Sequence, residues 1–196
     1  MTFATKIFSI VLIIALTVAY SMYEKSKITA LDSSGKLVLQ ELPEIKLADL
    51  EGNMAFTKQS LIDQDTRGLM VHFWGTWCAP CEAELPSFLK LADRLQVLGV
   101  KFLLIAVNDD VNKIKKFMKR FKSLPENVYL ANDPSGESMS IFGTAKVPET
   151  YLFSKTGKHL NKFVGPQEWE MATYFDRIKR LVDDSLGSQD QAVETH

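Results

Sequence analysis

The chain has 196 residues, 46% of them hydrophobic and 24% charged, with a formal net charge of −1. That length suits one ordinary domain plus an appendage, and the balanced charge excludes a nucleic-acid partner bound through a basic surface. The sequence contains no repeats and no low-complexity tracts.

The N-terminus departs from this ordinary composition. After residues 1–6, which end at Lys6, the run "IFSIVLIIALTVAYSMY" (7–23) carries no charge until Glu24. Its length sits at the lower limit of the ~17–25 residues that a helix needs to span a bilayer. It is apolar on all sides, unlike a core helix, which keeps one polar face. A cleaved signal peptide is the rival reading, but the run is longer than a usual signal core, and Ala19-Tyr20-Ser21 matches the cleavage pattern poorly. The expectation is therefore a short cytoplasmic N-terminus (1–6), a transmembrane signal-anchor (7–23) and a polar tether (24–41) with a Ser-Ser-Gly.

Residues 42–183 read as one folded domain and 184–196 as a disordered tail. "LPEIKLADLEGNMAFTKQSL" alternates around Glu51-Gly52-Asn53 as a hairpin does, with Thr57 placed to cap a short helix. "GLMVHFW" is a continuous apolar run, expected of a central strand covered on both faces. The helix after it, from Pro80, has an apolar stripe (Leu85, Phe88, Leu89, Leu91, Ala92, Leu95, Leu98) that ends at Gly99, and Pro86 should kink it. "VKFLLIAVN" is a second buried strand, and "DDVNKIKKFMKRFKSL" an amphipathic helix opened by two acidic residues. A short strand ("ENVYLAND"), a short helix closed by Gly143, two strands turning at Lys155-Thr156-Gly157 and a last helix from Gln167 complete the order. Strands alternating with helices imply a mixed sheet with helices on both faces.

Cys78 and Cys81 are the only cysteines in the chain. They lie where a buried strand gives way to a helix. Unpaired N–H groups and the helix dipole favour an anion at the first cysteine, and the thiolate is the species that attacks a disulfide. The second cysteine lies one helical turn on, within reach of the resulting mixed disulfide. Cys78 is thus read as the nucleophile and Cys81 as the resolving thiol of a redox couple. A zinc site lacks a second cysteine pair, with His72, His159 and His196 scattered. Haem attachment would need a histidine where Glu82 stands, and a structural disulfide closing so short a loop would constrain little of the unfolded chain. No metal and no cofactor are expected.

The segment "VHFWGTWCAPCEAELP", together with the Val147-Pro148 pair and the N-terminal hairpin, resembles the thioredoxin superfamily, in its TlpA/ResA/DsbE-like branch of membrane-anchored thiol-disulfide oxidoreductases. The resemblance implies a thioredoxin-like three-layer α/β/α sandwich with a mixed central sheet and an N-terminal β-hairpin addition. It implies a cis-proline loop at Val147-Pro148 that faces the cysteines and pairs with substrate, and a client-contact role for Trp77. It places Glu84 near the cysteine pair as a proton shuttle, against the plain alternative of a helix-dipole carboxylate. Glu82 is read as a solvated dipole partner and Trp74 as core. Two positions depart from the branch. His72 stands where thioredoxin has a buried acid, and is read as either a proton relay or a hydrogen-bonded core residue, with the core reading favoured. Glu149 follows the proline where threonine is usual, and is expected to bring negative charge to the substrate groove.

The resemblance further implies a domain on the outer face of a bacterial cytoplasmic membrane. There it would reduce disulfide-containing clients such as an apocytochrome c, supplied with electrons by a membrane donor of the DsbD/CcdA type. Two alternatives stand beside this reading. One is a peroxiredoxin-like thiol peroxidase, which would need a supporting threonine and arginine, with Arg67 the only arginine near the motif in sequence. The other is a tethered binding or holdase module without turnover, which has no need of both cysteines.

Overall fold

The computed structural model describes residues 12–20 and 39–193. The chain divides into two compact units, Met1–Leu39 and Gln40–His196. In the first, residues 12–20 form a helix (α1) whose side chains are exposed. The remainder of the expected anchor and the tether up to residue 38 lie outside the described residues. No helix among the described residues is long and apolar enough to cross a membrane.

The second unit is built on a seven-stranded mixed sheet. Its elements run β1 (Lys46–Ala48), β2 (Met54–Thr57), α2 (Lys58–Leu61), β3 (Gly68–Trp74), α3 (Ala79–Gln96), β4 (Val100–Val107), α4 (Val111–Met118), β5 (Val128–Asp133), α5 (Glu137–Phe142), β6 (Glu149–Ser154), β7 (His159–Val164) and α6 (Ala172–Val193). The strand order is β2-β1-β5-β4-β3-β6-β7. β3, β4 and β5 are parallel, whereas β6 and β7 add antiparallel on one side and β1 and β2 on the other. This is the mixed sheet and hairpin addition that the sequence pattern implies. Thr57 caps α2 in a reciprocal pair with Ser60, and Gly143 closes α5 at a positive φ of 69°.

Alternation along β3 sorts its side chains onto two faces. Met70, His72 and Trp74 point to the layer of α3, α4 and α6, where Leu85, Phe88, Ile114, Phe117, Ile178 and Val182 share one core with them. Phe73 points the other way and meets Phe142 of α5 and Tyr151 of β6. All seven residues of β3 are buried, as the apolar run requires.

Three boundaries differ from expectation. α4 stops at Met118 rather than running on to Leu124, because the chain turns at 119–121 ahead of Pro125. α6 starts at Ala172, not Gln167: the backbone N–H of Gln167 and the indole of Trp169 are drawn to Glu84, which holds residues 166–171 out of the helix. α6 also continues to Val193, so most of the expected tail (184–196) is helical. No proline interrupts it, and Gly187 alone costs a helix only about 1 kcal/mol. Pro86 does lie inside α3.

Candidate active site

β3 delivers the chain to Gly75-Thr76-Trp77, and α3 begins at Ala79 with Cys78 as its N-cap. Cys78 and Cys81 are joined as a disulfide with Cα atoms 5.3 Å apart. Cys78 Sγ also accepts from the Cys81 N–H at 3.3 Å, and the Glu82 N–H bonds the Cys78 carbonyl. The first sulfur therefore sits among the free donors of a helix N-terminus, where a thiolate is stabilised. Cys81 is fully enclosed and Cys78 nearly so, at 6% exposure.

The loop before the cysteines is pinned from β4. The Asp109 carboxylate accepts from the Thr76 N–H at 2.6 Å, the Thr76 hydroxyl at 3.0 Å and the Asp110 N–H at 2.8 Å. The Trp77 indole donates to the Val107 carbonyl at 3.0 Å. A Cβ at residue 75 would stand 2.5 Å from Trp77 Nε1, so glycine is needed there for the indole to fold back. Trp77 nevertheless leaves 55% of its surface to solvent beside the cysteines. Trp74 is fully buried core, in contrast.

The peptide bond Val147–Pro148 is cis. Because Phe73 pairs with Glu149 across the sheet, Pro148 enters β6 at the end of β3 from which the cysteine loop leaves. The Pro148 carbonyl accepts from the Gly165 N–H at 2.9 Å.

Glu84 lies one turn beyond Cys81 on α3 and is 5% exposed. Its Oε2 accepts from the Gln167 N–H at 2.8 Å and the Trp169 indole at 3.0 Å. Burial nonetheless wins over those two donors and pushes the carboxyl up to about 7. Behind it, His72 is completely buried, its Nδ1 is 2.9 Å from Thr150 Oγ1, and desolvation holds the imidazole neutral, down to about 3. The 3.8 Å approach of His72 Nε2 to Glu84 Oε1 is therefore not a salt bridge between full charges. A cavity of about 500 Å³ lined by Pro80, Ala83, Glu84, Ser87, Gln167 and Met171 opens beside this carboxyl.

Glu149 corrects an expectation. It projects to the opposite face of the sheet from Thr150, is 3% exposed, and is bonded by Lys162 Nζ at 3.0 Å and the Tyr151 hydroxyl at 3.2 Å. Its charge is neutralised there and does not reach the cysteine loop. Glu82 is not simply solvated either, since it pairs with Arg120.

The structure thus brings Cys78, Cys81, Glu84 and Trp77 together on α3 and its approach, with Val147-Pro148 at the same end of the sheet. Four contributors escaped the sequence reading: Asp109, Thr150, Gln167 and Trp169. Asp109 reads as a helix-dipole residue and Trp169 as part of a helix, and neither carries a spacing signal toward the cysteines.

Comparison with known proteins identifies the family and the fold. The family model described as AhpC/TSA matches residues 38–159. The chain is 30% identical over 141 residues to the thiol-disulfide oxidoreductase ResA of Bacillus thuringiensis subsp. konkukian, across 71% of this chain and 77% of the relative. It is 29% identical over 135 residues to the thiol:disulfide interchange protein HelX of Rhodobacter capsulatus, across 68% and 72%. The crystal structure of a thiol:disulfide interchange protein of the thioredoxin family from Chlorobium tepidum matches with a TM-score of 0.57 at 25% identity, covering 73% of this chain and 95% of that one.

Proposed function

This chain belongs to the AhpC/TSA family and is a thioredoxin-like thiol-disulfide oxidoreductase, and from that premise we propose that it reduces disulfides of exported client proteins. The observation that carries the reading is the placement of Cys78 and Cys81 in the first turn of α3, with a buried, proton-accepting Glu84 one turn further on.

In the reduced site, the Cys78 thiolate attacks one sulfur of the client disulfide. A mixed disulfide forms and the other client sulfur leaves as a thiolate. Cys81 gives its proton to Glu84, then attacks Cys78 Sγ and releases the second client thiolate. Two electrons have passed to the client, and the site is left as the disulfide described above. Glu84 suits the acceptor role because a group titrating near neutrality both takes and returns a proton at ordinary pH. Trp77 and the Val147-Pro148 edge supply the surface against which the client strand lies.

The wider setting belongs to the same proposal. Residues 7–23 anchor the chain in a bacterial cytoplasmic membrane, with the domain on the extracytoplasmic side. Electrons return through a membrane donor of the DsbD/CcdA type. An apocytochrome c with a Cys-x-x-Cys-His disulfide is a client of this description. What supports the setting is the uncharged N-terminal run together with the resemblance to the membrane-anchored TlpA/ResA/DsbE-like branch.

The peroxidase reading is disfavoured by where the polar groups point. Arg67 pairs with Asp183 at the far end of β3, about 20 Å along a seven-residue strand from the cysteine loop. Arg120 reaches the helix start but is engaged by Glu82, and the Thr76 hydroxyl is turned to Asp109. The test is Cys78→Ser in reduction of a peptide disulfide by the dithiol form. Loss of activity is expected, and full activity retained would refute the mechanism.

A further inference from the structure

Two buried polar atoms face each other without partners. His72 Nε2 and Glu84 Oε1 are 3.8 Å apart, and neither makes a hydrogen bond. The other heteroatom of each side chain is engaged: Glu84 Oε2 takes the Gln167 and Trp169 donors, and His72 Nδ1 meets Thr150 Oγ1.

Hydrogen-bond chemistry assigns the protons. A protonated carboxyl has one hydroxyl oxygen and one acceptor oxygen. Oε2 already receives two N–H groups, so the acid proton belongs on Oε1. The polar atom facing Oε1 is His72 Nε2. A neutral imidazole has one nitrogen with a free lone pair. For Nε2 to accept from Oε1–H, the ring hydrogen must sit on Nδ1 and be donated to Thr150 Oγ1. Every polar atom of the cluster then has a partner, once a small rotation of the Glu84 side chain shortens the 3.8 Å approach. Hydrogen bonds of this kind are often long in a resting site and tighten during the reaction.

We propose that His72 is a positioning residue for the redox step: with its proton fixed on Nδ1 by Thr150, its Nε2 lone pair accepts a hydrogen bond from the carboxyl that Glu84 becomes on taking the proton of Cys81. The inference rests on the reading of Glu84 as the proton acceptor. The same lone pair opposes an ionised Glu84, so His72 makes Glu84 the stronger base toward Cys81. In the step itself the Cys81 S–H bond breaks, an O–H bond forms at Glu84 Oε1, and that hydrogen is shared with Nε2. The imidazole neither gains nor loses a proton. This arrangement describes the oxidised site, after Cys81 has given up its hydrogen.

The surroundings contain few competing charges. β4 and β6 pair with His72 through Leu104 and Thr150, and the Phe88 ring of α3 lies 4.5 Å from the imidazole. On α3, Cys78 and Cys81 are joined as a disulfide in this state and carry no titrating proton. Across the cavity Glu168 and Glu170 belong to the segment before α6.

Two measurements on the full-length protein test the proposal. The first is ¹⁵N NMR of the oxidised wild type near pH 6, which reports the tautomer of each imidazole. A neutral His72 carrying its hydrogen on Nδ1 is expected, and a hydrogen on Nε2 would overturn the proposal. The second is the pH profile of Cys81 attack on a preformed Cys78 mixed disulfide, in wild type, His72→Phe and Glu84→Gln. His72→Phe removes the lone pair and keeps the ring volume, so the midpoint should move to lower pH by about one unit, a tenfold loss of proton affinity at Glu84. Glu84→Gln should abolish that midpoint. A profile that Glu84→Gln alters and His72→Phe leaves in place would refute the role of His72 alone. A profile indifferent to Glu84→Gln would refute the acceptor role of Glu84, and this proposal with it.

Discussion

The Trp169 indole donates a 3.0 Å hydrogen bond to the Glu84 carboxylate across 85 residues of sequence. That bond ties the segment before α6 to the helix that carries the cysteines, and it lowers the proton affinity that burial raises. Trp169→Phe keeps the ring in its aromatic pocket against Phe88 and Phe163 but removes the donor. The variant should lose about 1 kcal/mol of stability, and the midpoint for Cys81 attack should move to higher pH. Rapid-mixing kinetics of mixed-disulfide resolution would show the shift; an unmoved midpoint would mean that the indole does not tune the carboxyl.

His72 and Glu84 should give opposite slopes of stability against pH. The His72 pKa falls from 6.5 to about 3 on folding, so unfolding takes up a proton between those values and stability rises with pH through that window. The Glu84 pKa rises from 4.5 to about 7, so folding retains a proton and stability falls as pH rises through that window. The two effects oppose each other between about pH 4.5 and 6.5. Glu84→Gln should leave only the rise, and His72→Phe only the fall. At about 1.4 kcal/mol per unit, the Glu84 contribution has a ceiling of about 3 kcal/mol. Urea unfolding of the three proteins at pH 4.5 and 7.5 would separate them, and parallel curves would contradict the assignment.

Asp109 holds the Thr76 end of the cysteine loop through two bonds to Thr76 and one to the Asp110 N–H. Asp109→Ala should cost about 1.5–3 kcal/mol, the range for hydrogen bonds to a charged group. Exchange protection of the Thr76 amide should be lost well before that of β3. Protection equal to wild type would show that the loop is held by other means.

Glu149 faces away from the cysteine loop and neutralises Lys162. Glu149→Gln should therefore lower stability by about 2 kcal/mol while leaving the relative rates toward acidic and basic peptide disulfides unchanged. A shift in that preference would restore Glu149 to the client surface.

Much of this architecture is legible in the sequence because it is local. The apolar run of β3, the two-residue spacing of Cys78 and Cys81, the Thr57 cap and the glycine that closes α5 each signal themselves within a few residues. Glu84 is legible as a position one turn from Cys81, but its environment is not. Its donors come from residues 167 and 169 and its facing imidazole from β3, and such contacts between distant segments leave no periodicity. The same cause misplaced the start of α6, since Gln167 and Trp169 look helical until their hydrogen bonds to Glu84 are known. Glu149 is not legible either, because one step along a strand reverses the face: Thr150, not Glu149, shares the side of His72.

The central claim is that Cys78 attacks and Cys81 resolves. Full-length Cys81→Ser, reduced and mixed with a peptide disulfide, tests it most directly by mass spectrometry of the intact protein and its fragments. A stable adduct of one peptide on Cys78, formed at a rate close to the first step of the wild type and not released, is predicted. Turnover without an accumulating adduct would contradict the account.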